Sequence, residues 1–158
     1  MRLINIAEPR FEYDAGDPDG YRSGSFRLGP LLAAEQLGAT VYELPPGESL
    51  CPYHYETAEE EWLLVLHGSP TLRHPQGSER LAPWDVVCFP PTPEGAHKLS
   101  NEGEQTARVL MFSTVRLPAV TFYPDSDKVG VWTAGEDGRL IVRRSSGVDY
   151  WDGENGGK

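Results

Sequence analysis

The sequence contains only two cysteines, few basic residues and no apolar run long enough to span a membrane. Two thiols, together with a start that lacks the basic-then-apolar plan of a signal peptide, favour free cysteines in a reducing compartment. We therefore expect a cytoplasmic protein with no membrane partner. Lys and Arg number 14 against 24 Asp and Glu. The formal net charge of −10 argues against a nucleic-acid partner, because phosphate contacts need clustered cations.

Turn-forming residues, by contrast, are plentiful and spread along the chain. The 158 residues include 17 glycines and 14 prolines, which separate short apolar runs. This pattern predicts a single all-β domain. The clearest predicted strands are 37–44, 61–66, 86–89 and 106–115. Further predicted strands are 3–6, 21–28, 50–55, 69–74, 78–81, 96–100, 119–123, 129–133 and 140–142.

Within this one domain, the sequence suggests three parts. We expect an N-terminal arm with short strands over 1–36, a core over 37–123, and C-terminal strands with a frayed tail over 124–158. Hairpin turns are predicted at 75–77 and 136–138, because Gly and polar residues there separate two strand patterns. A turn or a single helical turn is predicted near the end of the arm, between residues 31 and 36.

The predicted strand that starts at Glu61 is apolar on both faces. Leu63 and Val65 share one face with Glu61, and Trp62 begins the opposite face. If the first face lines the interior, the second still needs a cover, either from the same chain or from a second subunit. An uncovered row of aromatic and aliphatic side chains signals association. We therefore predict a homodimer, with cover from the N-terminal arm as the alternative.

The stretch from residue 47 to residue 68 concentrates side chains that can bind a metal. Residues two apart on a strand point to the same face, so the His54 imidazole and the Glu56 carboxylate should lie side by side. Glu61 opens the next strand, and a tight hairpin would bring it opposite them. A second imidazole follows at His97. Imidazole and carboxylate groups bind divalent metals, although the acidic run 59–61 also fits a solvated hairpin.

This stretch resembles the first signature motif of the cupin superfamily. That motif has a Gly, then a His-x-His pair, then a Glu, then a second Gly. Gly47, His54, Glu61 and Gly68 match it, with one extra residue before His54. The chain departs from the motif at Glu56, which stands where the second His would be.

A later segment is similar to the second cupin motif, which runs Gly, Pro, Gly, His and Asn. Pro90, Gly95, His97 and Asn101 match this order, and the spacing from His97 to Asn101 is that of the motif. The opening Gly is replaced by Trp84.

The resemblance implies an all-β double-stranded β-helix, or jelly-roll barrel, that encloses the site. The core at 37–123 would form this barrel. Cupins of this kind bind a metal through two His and a Glu of the first motif and a His of the second. His54, Glu61 and His97 are therefore implied as ligands of one divalent ion, with Fe, Mn, Zn and Ni as candidates. Glu56 would be a fourth ligand or a general base beside the metal.

Cupin barrels carry out many functions, so the family does not fix the activity. The resemblance implies a small-molecule enzyme related to the dioxygenases, isomerases or decarboxylases of the superfamily. The alternative is a non-catalytic cupin that binds or senses a small molecule, with or without metal.

Four other side chains could bind a metal but are given structural roles. His67, at a strand end, and His74, beside a hairpin tip, are predicted to lie at the surface. Cys51 and Cys88 are predicted to be small buried hydrophobic residues rather than ligands.

Overall fold

The computed structural model describes residues 1–135, 138–154 and 156. This part of the chain is an antiparallel β-structure with one short helix, α1 (Leu28–Leu32). Its strands are β1 (Glu12–Tyr13), β2 (Gly24–Arg27), β3 (Leu37–Leu44), β4 (Tyr55–Glu56), β5 (Glu61–His67), β6 (Thr71–His74), β7 (Gly77–Arg80), β8 (Val86–Phe89), β9 (Lys98–Ser100), β10 (Ala107–Thr114), β11 (Ala119–Tyr123), β12 (Lys128–Trp132) and β13 (Arg139–Arg143).

The strands form three antiparallel sheets. The largest has the order β1-β2-β3-β10-β5-β8, the second β13-β12-β11-β4, and the third β7-β6-β9. Half of the ten strand pairs join strands that are not consecutive in the chain, because β10 lies between β3 and β5, β8 pairs with β5, β4 with β11 and β9 with β6. The predicted all-β jelly roll is therefore confirmed.

The hydrophobic core lies on the inner face of the largest sheet. Leu63 and Val65 of β5 are fully buried, whereas Trp62 is 36% exposed, so β5 has the predicted alternation. The buried cluster consists of Leu44, Leu63, Val65, Leu72, Leu81, Phe89, Leu99, Ala107 and Val109. These residues come from the largest sheet and from the β6–β9 side, which shows that the two sheets pack against each other around one core.

Several predicted strands agree closely with the structure. β3, β8 and β11 have the predicted bounds, and the hairpin at 75–77 joins β6 to β7, with His74 paired to Gly77. The turn predicted at 136–138 falls largely on residues outside the described part of the chain, as does much of the predicted frayed tail. The division of the chain at residues 37 and 123 stays a prediction.

Three predictions about local structure were wrong. Residues 3–6 form no strand, and Leu3 is 83% exposed without a sheet to pair with. The helical turn begins earlier than predicted, at Leu28. The strand predicted at 50–55 is reduced to one isolated bridge at His54 and to Tyr55, which begins β4. Pro52 stands in the middle of it, and proline has no N–H to donate to a ladder.

No helix in the described residues is both long enough and apolar enough to cross a membrane.

Candidate metal centre

Two histidines from distant segments meet across an isolated antiparallel bridge. The backbone N–H of His54 donates to the carbonyl of His97 at 3.1 Å, and the N–H of His97 donates to the carbonyl of His54 at 2.8 Å. Their ring centroids are 4.6 Å apart. Both residues are buried, with 9% and 1% of their surface exposed. The backbone itself thus brings the two cupin-like segments together and sets both imidazoles side by side.

The two imidazoles are held in the same tautomer. Nδ1 of His54 lies 2.9 Å from the carbonyl oxygen of Pro52, and Nδ1 of His97 lies 2.9 Å from that of Gly95. A carbonyl oxygen can only accept, so each Nδ1 carries the proton and each Nε2 keeps a free lone pair. Histidines that bind metals are fixed in this way, with the other ring nitrogen donating to a carbonyl or carboxylate.

Glu61 completes the group from the first residue of β5. Its Oε2 lies 4.0 Å from Nε2 of His54 and 3.7 Å from Nε2 of His97. These distances are too long for hydrogen bonds. Two ligand atoms that share an ion at about 2.1 Å each lie at most ~4.2 Å apart, so both distances to Glu61 suit a common metal. The three ligand atoms all lie within 4.8 Å of one another, so a pair beyond that limit would move closer by up to ~0.6 Å around an ion.

An unpaired atom supports this interpretation. Nε2 of His97 is buried and has no hydrogen-bond partner. A buried polar atom without a partner costs free energy, and native proteins seldom leave one. A divalent ion between the imidazoles and Glu61 would supply that partner. The residues present therefore fit a metal ion, and His54, Glu61 and His97 are the ones that would hold it.

Burial sets the charge of the ligands. It lowers the pKa of His97 from 6.5 to about 3, helped by the neighbouring His54, and it also lowers the pKa of His54. Both imidazoles are thus neutral at pH 7, which is the form that binds a metal. Burial, together with the charges of Glu56 and Glu59, raises the pKa of Glu61 to about 7. A bound cation would favour the ionised carboxylate.

Glu56 lies beside this group but is turned toward another strand. It ends β4, opposite Thr121 of β11, and the Thr121 hydroxyl lies 2.8 and 2.9 Å from its two carboxylate oxygens. Burial raises the pKa of Glu56 to about 7, although the hydrogen bond from Thr121 opposes the shift. Among the described residues, the cluster with metal-ligand spacing contains His54, Glu61 and His97 and does not contain Glu56.

A cavity of about 240 Å³ lies next to His54. It is smaller than the roughly 300–1,000 Å³ of drug-sized ligand sites, so it suits a small molecule. Among the described residues its lining contains two carboxylates and no Lys or Arg. The lining residues are Cys51, Pro52, His54, Glu56, Glu59, Leu117, Ala119, Thr121, Tyr123 and Trp132.

Some residues of the site were not predicted. Phe89 stacks on His97 with ring centroids 3.7 Å apart, and Tyr123 stacks on His54 at 6.0 Å. Thr121 and Trp132 line the cavity. These side chains lie on predicted strands, but no sequence spacing links them to the two motifs. Only the alternation of β11, which places Thr121 and Tyr123 on one face, could have pointed to them.

The structure also shows the surroundings of the two histidines and two cysteines that were given structural roles. His67 is exposed, as predicted. His74, predicted to lie at the surface, is half-buried: 23% of its side chain is exposed, but its Nε2 is buried 3.7 Å from Glu79 Oε1. Both cysteines are free thiols, but Cys88 is exposed rather than buried. The thiol of Cys51 borders the cavity, and burial raises its pKa to about 12, so it stays protonated.

Several motif residues shape the backbone. A Cβ at Gly95 would lie 2.0 Å from the carbonyl oxygen of Pro90, so only glycine fits the turn before His97. Gly68 has φ = 76°, and a Cβ added at this position would lie 2.8 Å from the Cα of Ala107. Trp84, in place of the motif's opening glycine, has φ = 78°, which is a conformation that glycine adopts easily. The motif position thus keeps its conformation without its usual residue.

The fold and site together define an antiparallel β-barrel with a buried candidate metal pocket. Residues 40–113 match the family model described as a cupin domain. The protein belongs to the cupin superfamily, as its two motifs predicted.

Two solved structures resemble nearly the whole chain, and both proteins carry the name sugar phosphate isomerase. The one from Acidithiobacillus ferrooxidans is 26% identical, with a TM-score of 0.83 over 93% of this chain and 95% of its own. The one from Silicibacter pomeroyi is 24% identical, with a TM-score of 0.80 over 95% and 98%.

The polyketide cyclase RemF from Streptomyces resistomycificus has the same fold over a smaller part of the chain. It is 23% identical, with a TM-score of 0.61 over 75% of this chain and 83% of its own. A comparison with curated proteins gives no match.

Proposed function

We propose that this cupin is a divalent-metal enzyme that isomerises a small hydroxy-carbonyl compound by moving a proton between neighbouring carbons. His54, Glu61 and His97 hold the metal, and Glu56 is the general base. The observation that carries this proposal is the convergence of three ligand atoms, one of them a buried and unpaired His97 nitrogen. The Nε2 of His74 is also buried and unpaired but lies near one carboxylate only, so it is the convergence of two imidazoles and a carboxylate that supports an ion here.

The donor set suits the metals expected from the sequence. Two imidazoles and a carboxylate bind Fe(II), Mn(II), Zn(II) or Ni(II). When bound, such an ion polarises a carbonyl oxygen of the substrate as a Lewis acid. Three protein ligands leave positions open for substrate oxygens.

Glu56 is placed to transfer the proton. Its carboxylate faces the cavity beside His54 but lies outside the ligand group. A base works best when its pKa is near the working pH, and burial raises the pKa of Glu56 to about 7. Glu56 would take a proton from the carbon that bears the hydroxyl group and return it to the former carbonyl carbon, while the hydroxyl proton passes to the former carbonyl oxygen. The small cavity restricts the substrate to a few carbon atoms or to one end of a longer molecule.

The comparisons support isomerisation more than the other activities. The two structures that match over almost the full length both carry the name sugar phosphate isomerase. The cavity lining, however, has two carboxylates and lacks a cation in the described residues. A phosphate group would therefore have to lie outside this cavity or be absent from the substrate.

Oxygenation is the second candidate, and one observation favours it. Two His and one carboxylate, with open positions, form the ligand set of non-haem Fe(II) oxygenases. Oxygen uptake with an iron-loaded protein, measured against small acids and phenols, would favour this alternative. A metal-free protein whose thermal stability does not change on chelation would instead favour a non-catalytic sensing module.

The proposal is tested by proton exchange. The protein, purified without added metal, is analysed for bound metal by mass spectrometry, then incubated in D₂O with small aldoses, ketoses and hydroxy ketones. We expect deuterium to enter the substrate carbon next to the carbonyl. Glu56→Gln should abolish exchange but keep the metal, and Glu79→Gln, on the exposed strand β7, is the control. Exchange at wild-type rate in Glu56→Gln would overturn the assignment of the base.

We propose further that the protein is a homodimer that buries the outer face of β5 and β8. Trp62 stacks on Phe112 at 6.0 Å and is still 36% exposed, and Val86 is 56% exposed. A second copy would cover this apolar face. Light scattering should give twice the chain mass of 17.5 kDa, and Trp62→Glu should give a monomer.

A further inference from the structure

Two consecutive hydrogen bonds lead from Trp132 through Thr121 to Glu56. The indole Nε1 of Trp132 lies 3.0 Å from the hydroxyl oxygen of Thr121. That oxygen lies 2.8 and 2.9 Å from the two carboxylate oxygens of Glu56. Thr121 is only 2% exposed, so water has little access to its hydroxyl. We refer to these three residues as the relay.

The direction of the relay follows from the donors. An indole N–H can only donate, so the Thr121 oxygen accepts from Trp132. The single hydroxyl proton of Thr121 is then available to Glu56, and the carboxylate accepts it. Each group therefore has its partner, and Glu56 is held as an acceptor that faces β11.

The pairing of β4, β11 and β12 in the second sheet places the three residues of the relay next to one another. Glu56 and Thr121 are direct partners between β4 and β11, and Thr121 and Gly130 are direct partners between β11 and β12. Trp132 follows Gly130 by two residues and shares its face. A Cβ at Gly130 would lie 3.3 Å from Nε1 of Trp132, so the missing side chain leaves room for the indole. The guanidinium of Arg139 lies 5.2 Å from the centre of the Trp132 ring.

We infer that Thr121 and Trp132 are positioning residues that hold Glu56 away from the metal, so that it stays a free base instead of becoming a fourth ligand. This inference rests on the proposed function. Glu56 follows His54 by two residues on the same side of the chain, and a cation between His54, Glu61 and His97 would attract its carboxylate. The relay opposes that movement, because a Glu56 carboxylate that moved to the metal would leave the buried Thr121 hydroxyl without a hydrogen-bond acceptor.

The first test measures the affinity for Mn(II) by calorimetry. Thr121→Val keeps the shape of the side chain but removes the hydroxyl. We expect it to bind Mn(II) roughly tenfold more tightly than the wild type, because Glu56 can then join the metal. Thr121→Ser should bind like the wild type, and the double variant Thr121→Val/Glu56→Gln should lose the gain. The matched control is Thr71→Val, since the Thr71 hydroxyl donates to a carboxylate of Glu102 at 3.1 Å on the surface.

The second test does not depend on metal. The indole N–H of Trp132, identified in NMR spectra by the Trp132→Phe variant, should shift and exchange faster with solvent in Thr121→Val. An unchanged indole signal would overturn the relay. Wild-type affinity for Mn(II) in Thr121→Val would overturn the holding role. Absence of Mn(II) binding in every variant, with His97→Ala indistinguishable from the wild type, would overturn the proposed function and this role of Glu56 with it, whatever the indole signal shows.

Discussion

His97 and Asn101 belong to the same cupin motif and are equally buried, at 1% and 2% exposure, yet their surroundings differ completely. The amide nitrogen of Asn101 donates to the carbonyls of Leu44 and Gln105 at 2.8 Å, and its oxygen accepts from the N–H of Gly103 at 3.1 Å. His97 has one nitrogen paired and one buried without a partner.

The difference separates a structural role from a binding role. A buried polar side chain with every group paired holds the chain in place, since removing the side chain would leave its partners without hydrogen bonds. His97, whose unpaired nitrogen converges with a second imidazole and a carboxylate, has the surroundings of a metal ligand. Four residues apart in the sequence, Asn101 thus fixes the turn after β9, while His97 belongs to the candidate metal centre. The following predictions test this distinction.

The largest effect is expected for His97. His97→Ala should weaken binding of a divalent metal by roughly a hundredfold or more, because a direct ligand is lost. Metal content and Mn(II) affinity measure this, and His97→Gln, which keeps more of the side-chain volume, should behave in the same way. His74→Ala serves as the control, since it removes a half-buried histidine outside the site. Wild-type affinity for the metal in His97→Ala would show that His97, like Asn101, has a structural role and is not a ligand.

Asn101 should show the opposite pattern. Asn101→Ala removes three hydrogen bonds and takes this donor from the buried carbonyl of Leu44, so we expect a loss of about 2 kcal/mol in the free energy of unfolding. The measurement is urea denaturation of the metal-free protein. Asn5→Ala, which removes an exposed hydrogen bond to the N–H of Ala7, should change stability little. If Asn101→Ala keeps full stability but loses metal, Asn101 belongs to the binding site after all.

Stability of the metal-free protein should fall as the pH rises above about 6.5. Glu56 and Glu61 have a pKa of about 7 in the folded state against 4.5 as the ordinary value. The folded protein therefore binds more protons than the unfolded chain between these values, and stability decreases with rising pH. The pKa of His97, lowered from 6.5 to about 3, acts in the opposite direction, but only below about pH 6.5.

We therefore expect the metal-free protein to lose about 1–2 kcal/mol between pH 6.5 and pH 8, as measured by urea denaturation. Glu61→Gln should remove about half of this loss. Saturating Mn(II) should abolish the Glu61 part, because a metal-bound carboxylate is ionised at both pH values. A stability that rises over this range would show that the two carboxylates are not buried together.

The smallest effect concerns the start of the second motif. Trp84 is 73% exposed and has φ = 78°, so its side chain contributes little packing while its backbone is strained. Trp84→Gly should raise the free energy of unfolding by about 0.5–1 kcal/mol without changing metal affinity. Trp84→Ala keeps the strained conformation and should bring no gain. Equal stability in both variants would show that this motif position does not constrain the backbone.

Much of this molecule could be predicted from local patterns. β3, β8 and β11 have the predicted bounds, because each is a short run of strand-forming residues closed by a turn. The inward-facing residues of β5 were also predicted correctly, because alternation along a strand assigns every residue to one of the two faces. The cluster of His54, Glu61 and His97 was anticipated from motif spacing, which the family match explains.

The orientation of single side chains could not be predicted in this way. His54 and Glu56 share a face, and both possible roles of Glu56 fit that placement. The partner that turns Glu56 toward β11 is Thr121, which lies 65 positions further along the chain. Likewise, the exposure of Cys88 and the burial of the His74 nitrogen depend on which side chains of neighbouring strands cover them. A local sequence pattern does not contain this information.

The order of residues along the chain was enough to establish an all-β cupin with two histidines and a glutamate as candidate ligands, because strand alternation and motif spacing are local properties. The tertiary structure alone decided that the unpaired His97 nitrogen faces Glu61, and that Thr121, which accepts from Trp132, donates to Glu56. These contacts join strands that are distant in sequence, and only the packing of the sheets brings their side chains within reach.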